Sequence, residues 1–248
     1  MSRLQELAAL AAAKAAASRP APPPAVRRPG DVAAALVRHH IARKLRVAFS
    51  DARLEADLRQ IDPAWWGQHL GPYHDGAWEA VALWAPRGDR REQRSQGGPF
   101  AATEALKRCP YFAEVMSAFA CDKSRVRLMR LRAGGHILRH SDPLHQINPR
   151  LIRVHVPVVT SPAVKFWVRD RVVAMRPGEA WHVDVRFPHE VHNQGDIDRV
   201  HLVLDLVANP AIADMLRDAE SVGKGYLTGY YVRHSLPERL RRALKVGN

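Results

Sequence analysis

Two imidazoles and one carboxylate stand at a spacing that could hold iron. His140-Ser141-Asp142 supplies one of each, and His189, 49 positions beyond His140, supplies the second imidazole. Two histidines and one carboxylate are the ligand set that grips Fe(II) from one face and leaves the other positions open for a cosubstrate and O2. On an extended strand residues i and i+2 project to one side, so His140 and Asp142 could leave a single edge together. His189 must then come from a later strand folded back over the first. Arg199, ten residues further on, carries a planar guanidinium suited to a carboxylate.

Eight of the thirteen histidines fall between His136 and His201, so the three marks must be weighed against their neighbours. His182-Val183-Asp184 is a second His-x-Asp pair and the serious competitor. It lies only seven residues before His189, which leaves no more than a tight turn between ligands, and it follows a Pro177-Gly178 turn that reads as the entry to a strand. Asp184 is therefore expected to be a structural hydrogen-bonding group and His182 a packed or surface residue. Alternation sorts the others. In 199–207 the residues Val200, Leu202, Leu204 and Leu206 form one face, and Arg199, His201, Val203 and Asp205 the opposite one. The same rule puts Arg153 and His155 together in 151–158. Arginine and histidine pointing into a barrel are costly unless an anion binds there, or unless they pair with Asp184, Asp205 or Glu190 in a structural network.

The elements that must position these groups begin at Arg125, where the apolar period becomes two. Strands are expected over 125–132, 136–140, 151–158, 163–168, 172–175, 180–185, 190–193 and 199–207, with turns such as Arg176-Pro177-Gly178 between them. Eight short strands so spaced suggest a mainly β protein, a double-stranded β-helix or cupin-like jelly roll with flanking N- and C-terminal helices. Upstream, helices are expected over 2–17, over 31–48 with Asp31 as cap, over 51–61, and over 103–120 with a break at Pro110. Five prolines in 18–30 read as an extended linker, and 87–99 as a loop. Trp65, Trp66, Tyr73, Trp78 and Trp84 are expected to be core aromatics around a turn. Helices over 210–220 and 236–246 complete the chain. The organisation expected is an appendage and linker over 1–30, a helical and aromatic-rich part over 31–120, the β core over 121–220, and a basic extension over 221–248.

Length and composition bound the function. A chain of 248 residues that is 46% hydrophobic with six tryptophans builds a real core. No apolar run approaches the roughly 20 residues needed to cross a bilayer, so no membrane partner is expected. Cys109 and Cys121 make no disulfide scaffold and fit a reducing cytoplasm. The net charge of +13 invites nucleic acid, but the excess sits largely at the ends and in loops, where it solvates the surface or attracts anionic substrates.

Taken together, "RLRAGGHILRHSD", "RLIRVHVPV", "MRPGEAWHVD", "HEVHNQG" and "RVHLVLDL" resemble the aspartyl/asparaginyl β-hydroxylase family of 2-oxoglutarate and Fe(II)-dependent dioxygenases, including its bacterial proline hydroxylases. With the upstream "WWGQHLGPYHDGAW", the resemblance covers about residues 50–220. It implies that His140 and His189 bind iron and that Arg199 salt-bridges the distal carboxylate of 2-oxoglutarate. It also implies that His155 lies near the cosubstrate and that Arg153 faces substrate. The animal aspartyl hydroxylases have glycine where this chain has Asp142, whereas the proline hydroxylase branch keeps the aspartate. The implied activity is O2-dependent hydroxylation of an amino acid, free or in a peptide or protein, coupled to conversion of 2-oxoglutarate into succinate and CO2. A cupin-like metal-binding domain without turnover is the rival from another class; a cupin enzyme of different chemistry, such as an isomerase, is a second.

Overall fold

Strand β1 (His39–Ala48), helix α1 (Asp51–Leu58) and the short strand β2 (Gly67–Gln68) open the described part of the chain. Next come β3 (Trp78–Pro86), β4 (Phe100–Ala102), α2 (Glu104–Lys107) and α3 (Pro110–Ser117). The strands β5 (Lys123–Leu131), β6 (His136–His140), β7 (Leu151–Val159) and β8 (Val164–Val168) follow. After them run β9 (Arg171–Val172), β10 (Glu179–Val183), β11 (His189–Asn193) and β12 (Arg199–Val207), and α4 (Pro210–Arg217) and β13 (Glu220–Gly225) end it. The computed structural model describes residues 39–94, 98–142, 145, 148 and 150–225. The helices expected over 2–17 and 236–246 and the linker over 18–30 lie outside them.

Strands β5 to β12 wind between two facing sheets, alternating except that β8 and β9 both lie in the smaller one. Four of them run β10-β7-β12-β5 within a larger sheet, which β1 and β13 extend at one side and β3 and β2 at the other, with β4 on β3. The other four form the smaller sheet, β6-β11-β8-β9. This is the double-stranded β-helix that the alternation predicts. Its two central strands, β7 and β12, are buried at eight of nine positions because both of their faces are covered. Their even-numbered residues, among them Val154, Val156, Leu202 and Leu204, pack outward against Leu54, Phe112, Val115 and Ile212 of the helices. The odd-numbered face, with Val203, closes on Phe166, Val168, Val191 and Phe187 inside the roll. Helices α1, α3 and α4 thus cover the outer face of the larger sheet, and the interior between the sheets is left for chemistry.

The caps follow from sequence. Ser50 accepts from the Arg53 backbone N–H at 3.3 Å, and Thr103 from that of Leu106 at 3.3 Å. Pro110 splits the 103–120 helix into α2 and α3, as its missing N–H requires.

The expected helix over 31–48 is corrected where it is described: 39–48 is strand β1. Ile41 and Leu45 mimic a helical i, i+4 stripe, but pairing with β10 and β13 makes the segment a strand, with Ile41 in the core cluster inside the roll and Leu45 in the one beneath the helices. The Gly178 turn fixes this join. Gly178 has φ of 76°, its carbonyl accepts from Phe49 N at 2.8 Å, and a Cβ on it would lie 2.2 Å from the Phe49 oxygen. Gly178→Ala should therefore cost on the order of 1–3 kcal/mol, by strain and by displacement of the β1 join. Urea unfolding measures this, and an unchanged midpoint would contradict it.

Candidate metal and cosubstrate site

His140 and His189 are directly opposed across β6 and β11, so folding the later strand onto the earlier one joins them. A register shift between His189 and Val191 breaks the strict alternation of β6, and this lets Ile137 and His140 both face inward. The His140 and His189 rings lie 4.3 Å apart. Asp142 comes from beyond the end of β6 rather than from the strand itself, and its backbone N–H is held by the Val185 carbonyl at 2.9 Å. Its Oδ1 is 3.5 Å from His140 Nε2, and one ligand atom from each of the three residues lies within 4.8 Å of the others.

Backbone carbonyls set the protonation needed for a metal. His140 Nδ1 donates to Leu138 O at 2.7 Å and His189 Nδ1 to Phe187 O at 3.0 Å. With the proton fixed on Nδ1, each Nε2 offers a lone pair toward Asp142. Burial lowers the His189 pKa to about 4, so that imidazole is neutral at physiological pH. Burial alone would raise the Asp142 carboxyl. The Arg153 guanidinium and His140 override it and hold Asp142 well below the usual carboxylate range. Two imidazoles and an ionised carboxylate, converging on one point, suit Fe(II).

Beside these ligands a cavity runs inward between Ile137, Met129, Phe166 and Val191 to Arg199 and His155. Arg199 is only 2% exposed, and among the described residues its one hydrogen bond is to His201 Nδ1 at 2.8 Å. No carboxylate stands against it, its Nε is unpartnered, and burial lowers its pKa to about 9. The Nε2 atoms of His155 and His201 are also buried without partners, and burial followed by the Arg199 charge pushes both rings well below the ordinary histidine value. A buried cation with neutral donors beside it is costly until an anion arrives. The distal carboxylate of 2-oxoglutarate has the required chemistry.

Arg153 lies at the base of the metal ligands. It ion-pairs with Asp142 and, through Nε at 2.7 Å and Nη2 at 3.2 Å, with Asp205. Asp205 sits directly across from Arg153 on one side and Arg125 on the other. It also accepts from Arg125 Nε at 2.5 Å and Arg127 Nη2 at 3.4 Å. The expected substrate contact of Arg153 thus meets a guanidinium already spanning two carboxylates. A second cavity opens on this side, lined by Arg125, Arg127, Met129, Asp142, Trp78 and Tyr73. Buried Arg127 has an unpartnered Nε there.

Some site residues were not singled out by sequence. Tyr73 stacks on His140 with centroids 4.7 Å apart, and His69 stacks on Trp78 at 3.5 Å. Trp78 is core, as expected, but also lines both cavities; Tyr73 is not core at 39% exposure. Arg127 was legible in principle, because alternation in β5 puts Arg125, Arg127 and Met129 on one face. The competing pair is elsewhere: Asp184 is clamped by Arg186 at 2.6 and 2.7 Å, and His182 Nδ1 bonds Arg153 O at 3.0 Å.

Residues 52–209 match the family model described as Aspartyl/Asparaginyl beta-hydroxylase. L-proline cis-4-hydroxylase of Rhizobium meliloti (strain 1021) is 29% identical over 179 residues, covering 71% of this chain and 64% of that protein. L-proline cis-3-hydroxylase 2 of a Streptomyces species is 26% identical over 177 residues, covering 68% and 60%. The chain's match therefore spans a little under two thirds of these relatives. A Pseudomonas putida prolyl-4-hydroxylase crystal structure, 14% identical, covers 73% of this chain and 97% of its own with a TM-score of 0.43, too distant to bear on the reaction.

Buried neutral histidines make the metal-free protein acid-sensitive. An unfolded histidine titrates near 6.5, whereas folded His189 titrates near 4, and burial shifts His155, His182 and His201 in the same direction. On acidification the unfolded chain binds these protons first, so stability is full above about pH 6.5 and falls as pH drops toward 4. His189 alone contributes about 3 kcal/mol to this slope. Melting temperature against pH after chelation should show the decline; a flat profile between pH 7 and 4.5 would refute it.

Proposed function

The chain belongs to the aspartyl/asparaginyl β-hydroxylase family, and from that premise we propose that it is an Fe(II)- and 2-oxoglutarate-dependent dioxygenase that hydroxylates a free α-amino acid. The observation that carries this reading is buried Arg199 with no carboxylate partner among the described residues, beside the gathered His140, Asp142 and His189 set. A metal-binding domain without turnover has no use for that orphaned charge.

Bound Fe(II) and 2-oxoglutarate supply O2 activation and the oxidising equivalents, with 2-oxoglutarate leaving as succinate and CO2 and one oxygen atom entering the substrate. The chain's own residues do the rest. His140, Asp142 and His189 hold the metal. Arg199 binds the distal carboxylate of the cosubstrate, and His201, bonded to Arg199, fixes the guanidinium plane. His155 supplies a polar contact on the same wall. Arg153 keeps Asp142 ionised and aimed, a positioning role. Met129, Phe166 and Val191 exclude water from the reacting centre.

The substrate follows from charge. Within the roll, Arg125, Arg127 and Arg153 share the carboxylates of Asp142 and Asp205, and the Arg199 guanidinium adds a further positive charge. The metal adds further positive charge and the cosubstrate offsets about as much, so an anionic substrate is favoured. Arg127, rather than the saturated Arg153, is suited to a substrate carboxylate. The flat surfaces of Trp78 and Tyr73 suit a compact aliphatic or cyclic side chain. The relatives' names make L-proline the first compound to test, with peptidyl Asp or Asn as the second reading, favoured by the family description.

Arg199→Ala should raise the 2-oxoglutarate requirement by about a hundredfold, near 3 kcal/mol, with metal affinity unchanged. Arg199→Lys should restore only part, since an ammonium cannot form the two-pronged contact. Titrations identical to wild type would remove Arg199 from that role. Arg127→Gln should raise KM for the amino acid about tenfold or more while leaving the 2-oxoglutarate dependence alone. The readout is mass spectrometry of free amino acids and Asp- or Asn-containing peptides, scored for a gain of one oxygen. Oxidation confined to compounds without a carboxylate would refute the anion subsite.

A further inference from the structure

Strands β6 and β11 carry histidines on both faces. The inward face holds His140 and His189. On the outward face His136 is directly opposed to His192, and Glu190, two positions before His192, lies on the same side. We propose that His136, Glu190 and His192 form a second metal site, selective for a borderline divalent cation of the Zn(II) class and independent of the interior site.

The donor atoms are already gathered. His192 Nε2 is 3.4 Å and His136 Nε2 3.8 Å from the same oxygen, Glu190 Oε2. The two rings lie 3.8 Å apart and 28° from parallel. A tetrahedral Zn(II) with ligands near 2.0–2.1 Å separates its donor atoms by about 3.3 Å, so the two imidazole–carboxylate pairs need to close by only about half an ångström, and all three donor atoms already lie within 4.8 Å of one another. The second carboxylate oxygen is already engaged: Arg139 Nη1 donates to Oε1 at 3.1 Å and to the Arg169 carbonyl at 3.1 Å. That contact orients Glu190 and leaves Oε2 to the cation. His136 Nε2 is buried yet has no hydrogen-bond partner, an arrangement that costs free energy unless something ligates it. All three side chains are partly exposed, at 31%, 22% and 34%, so a cation has an entry path and a solvent molecule can complete the coordination. Two imidazoles and one carboxylate favour Zn(II), Ni(II) or Cu(II) over Mg(II) or Ca(II). Because His136 belongs to β6 and the other two residues to β11, the bound cation ties together the same two strands that present the interior histidines.

The test is Zn(II) binding to the untagged full chain, by titration calorimetry and by metal analysis after equilibrium dialysis. Wild type should bind two equivalents. His136→Ala/His192→Ala should bind one, and His189→Ala should keep the outer equivalent while losing the inner. Glu190→Gln, which preserves shape, should weaken the outer equivalent by about tenfold or more. At a hundredfold excess over Kd the outer cation should raise Tm of the His189→Ala protein by about 5–10 °C, a gain absent when His136 and His192 are also replaced. A wild-type stoichiometry that His136→Ala/His192→Ala leaves unchanged, whether one equivalent or two, overturns the proposal, and a loss on that double substitution supports it. Neither result bears on the interior site, which His189→Ala reports separately.

Discussion

Everything at the centre of this molecule depends on how Asp205, 1% exposed, is surrounded. It lies in mid-strand between two arginine-bearing neighbours and receives Arg125, Arg127 and Arg153. A buried carboxylate is tolerable only with such partners, and the guanidiniums are tolerable only with it. Arg153 carries the arrangement onward to Asp142, so the ionisation and direction of that candidate ligand carboxylate are set by a charge network across three strands. Positive charge is left over, and that surplus is what the roll offers to anionic ligands.

The geometry of the roll divides that offer in two. Arg199 and the neutral His155 line one cavity, and Arg127 with Tyr73 lines another, while His140 and Trp78 line both. Two cavities on either side of the candidate metal ligands suit the proposed reaction of a 2-oxo acid with an amino acid. The outer faces of β6 and β11 add a second cluster of donors, because alternation sends every other side chain away from the interior.

Much of this was legible in the sequence, for identifiable reasons. The eight strands of the roll declare themselves by alternation, and their ends fall within a few residues of expectation. The His140, Asp142 and His189 constellation emerges from residue type and spacing, and the turn at Pro177-Gly178 sets apart His182 and Asp184, which bond Arg153 O and Arg186. The misses are tertiary. β1 has a helical apolar spacing, and only its neighbours β10 and β13 make it a strand. β13 contains two glycines within ESVGKG and has little strand propensity of its own. Asp142 reaches the site from beyond the strand end, by a backbone hydrogen bond that no period encodes. Tyr73 and His69 stack beside the ligands from a loop, where no pattern predicts a contact. Arg127 stood on the right face, but its partner Asp205 is 78 residues away.

The central claim is that Asp142, aimed by Arg153, completes an Fe(II) site that consumes 2-oxoglutarate. The most direct measurement is Fe(II)-dependent succinate formation by the purified chain with a panel of amino acids, compared between wild type and Asp142→Ala. The account predicts succinate from wild type in step with one hydroxylated amino acid, and turnover reduced by about a hundredfold or more in the variant. Wild-type turnover in Asp142→Ala, or no succinate from wild type with any amino acid or peptide, would contradict it.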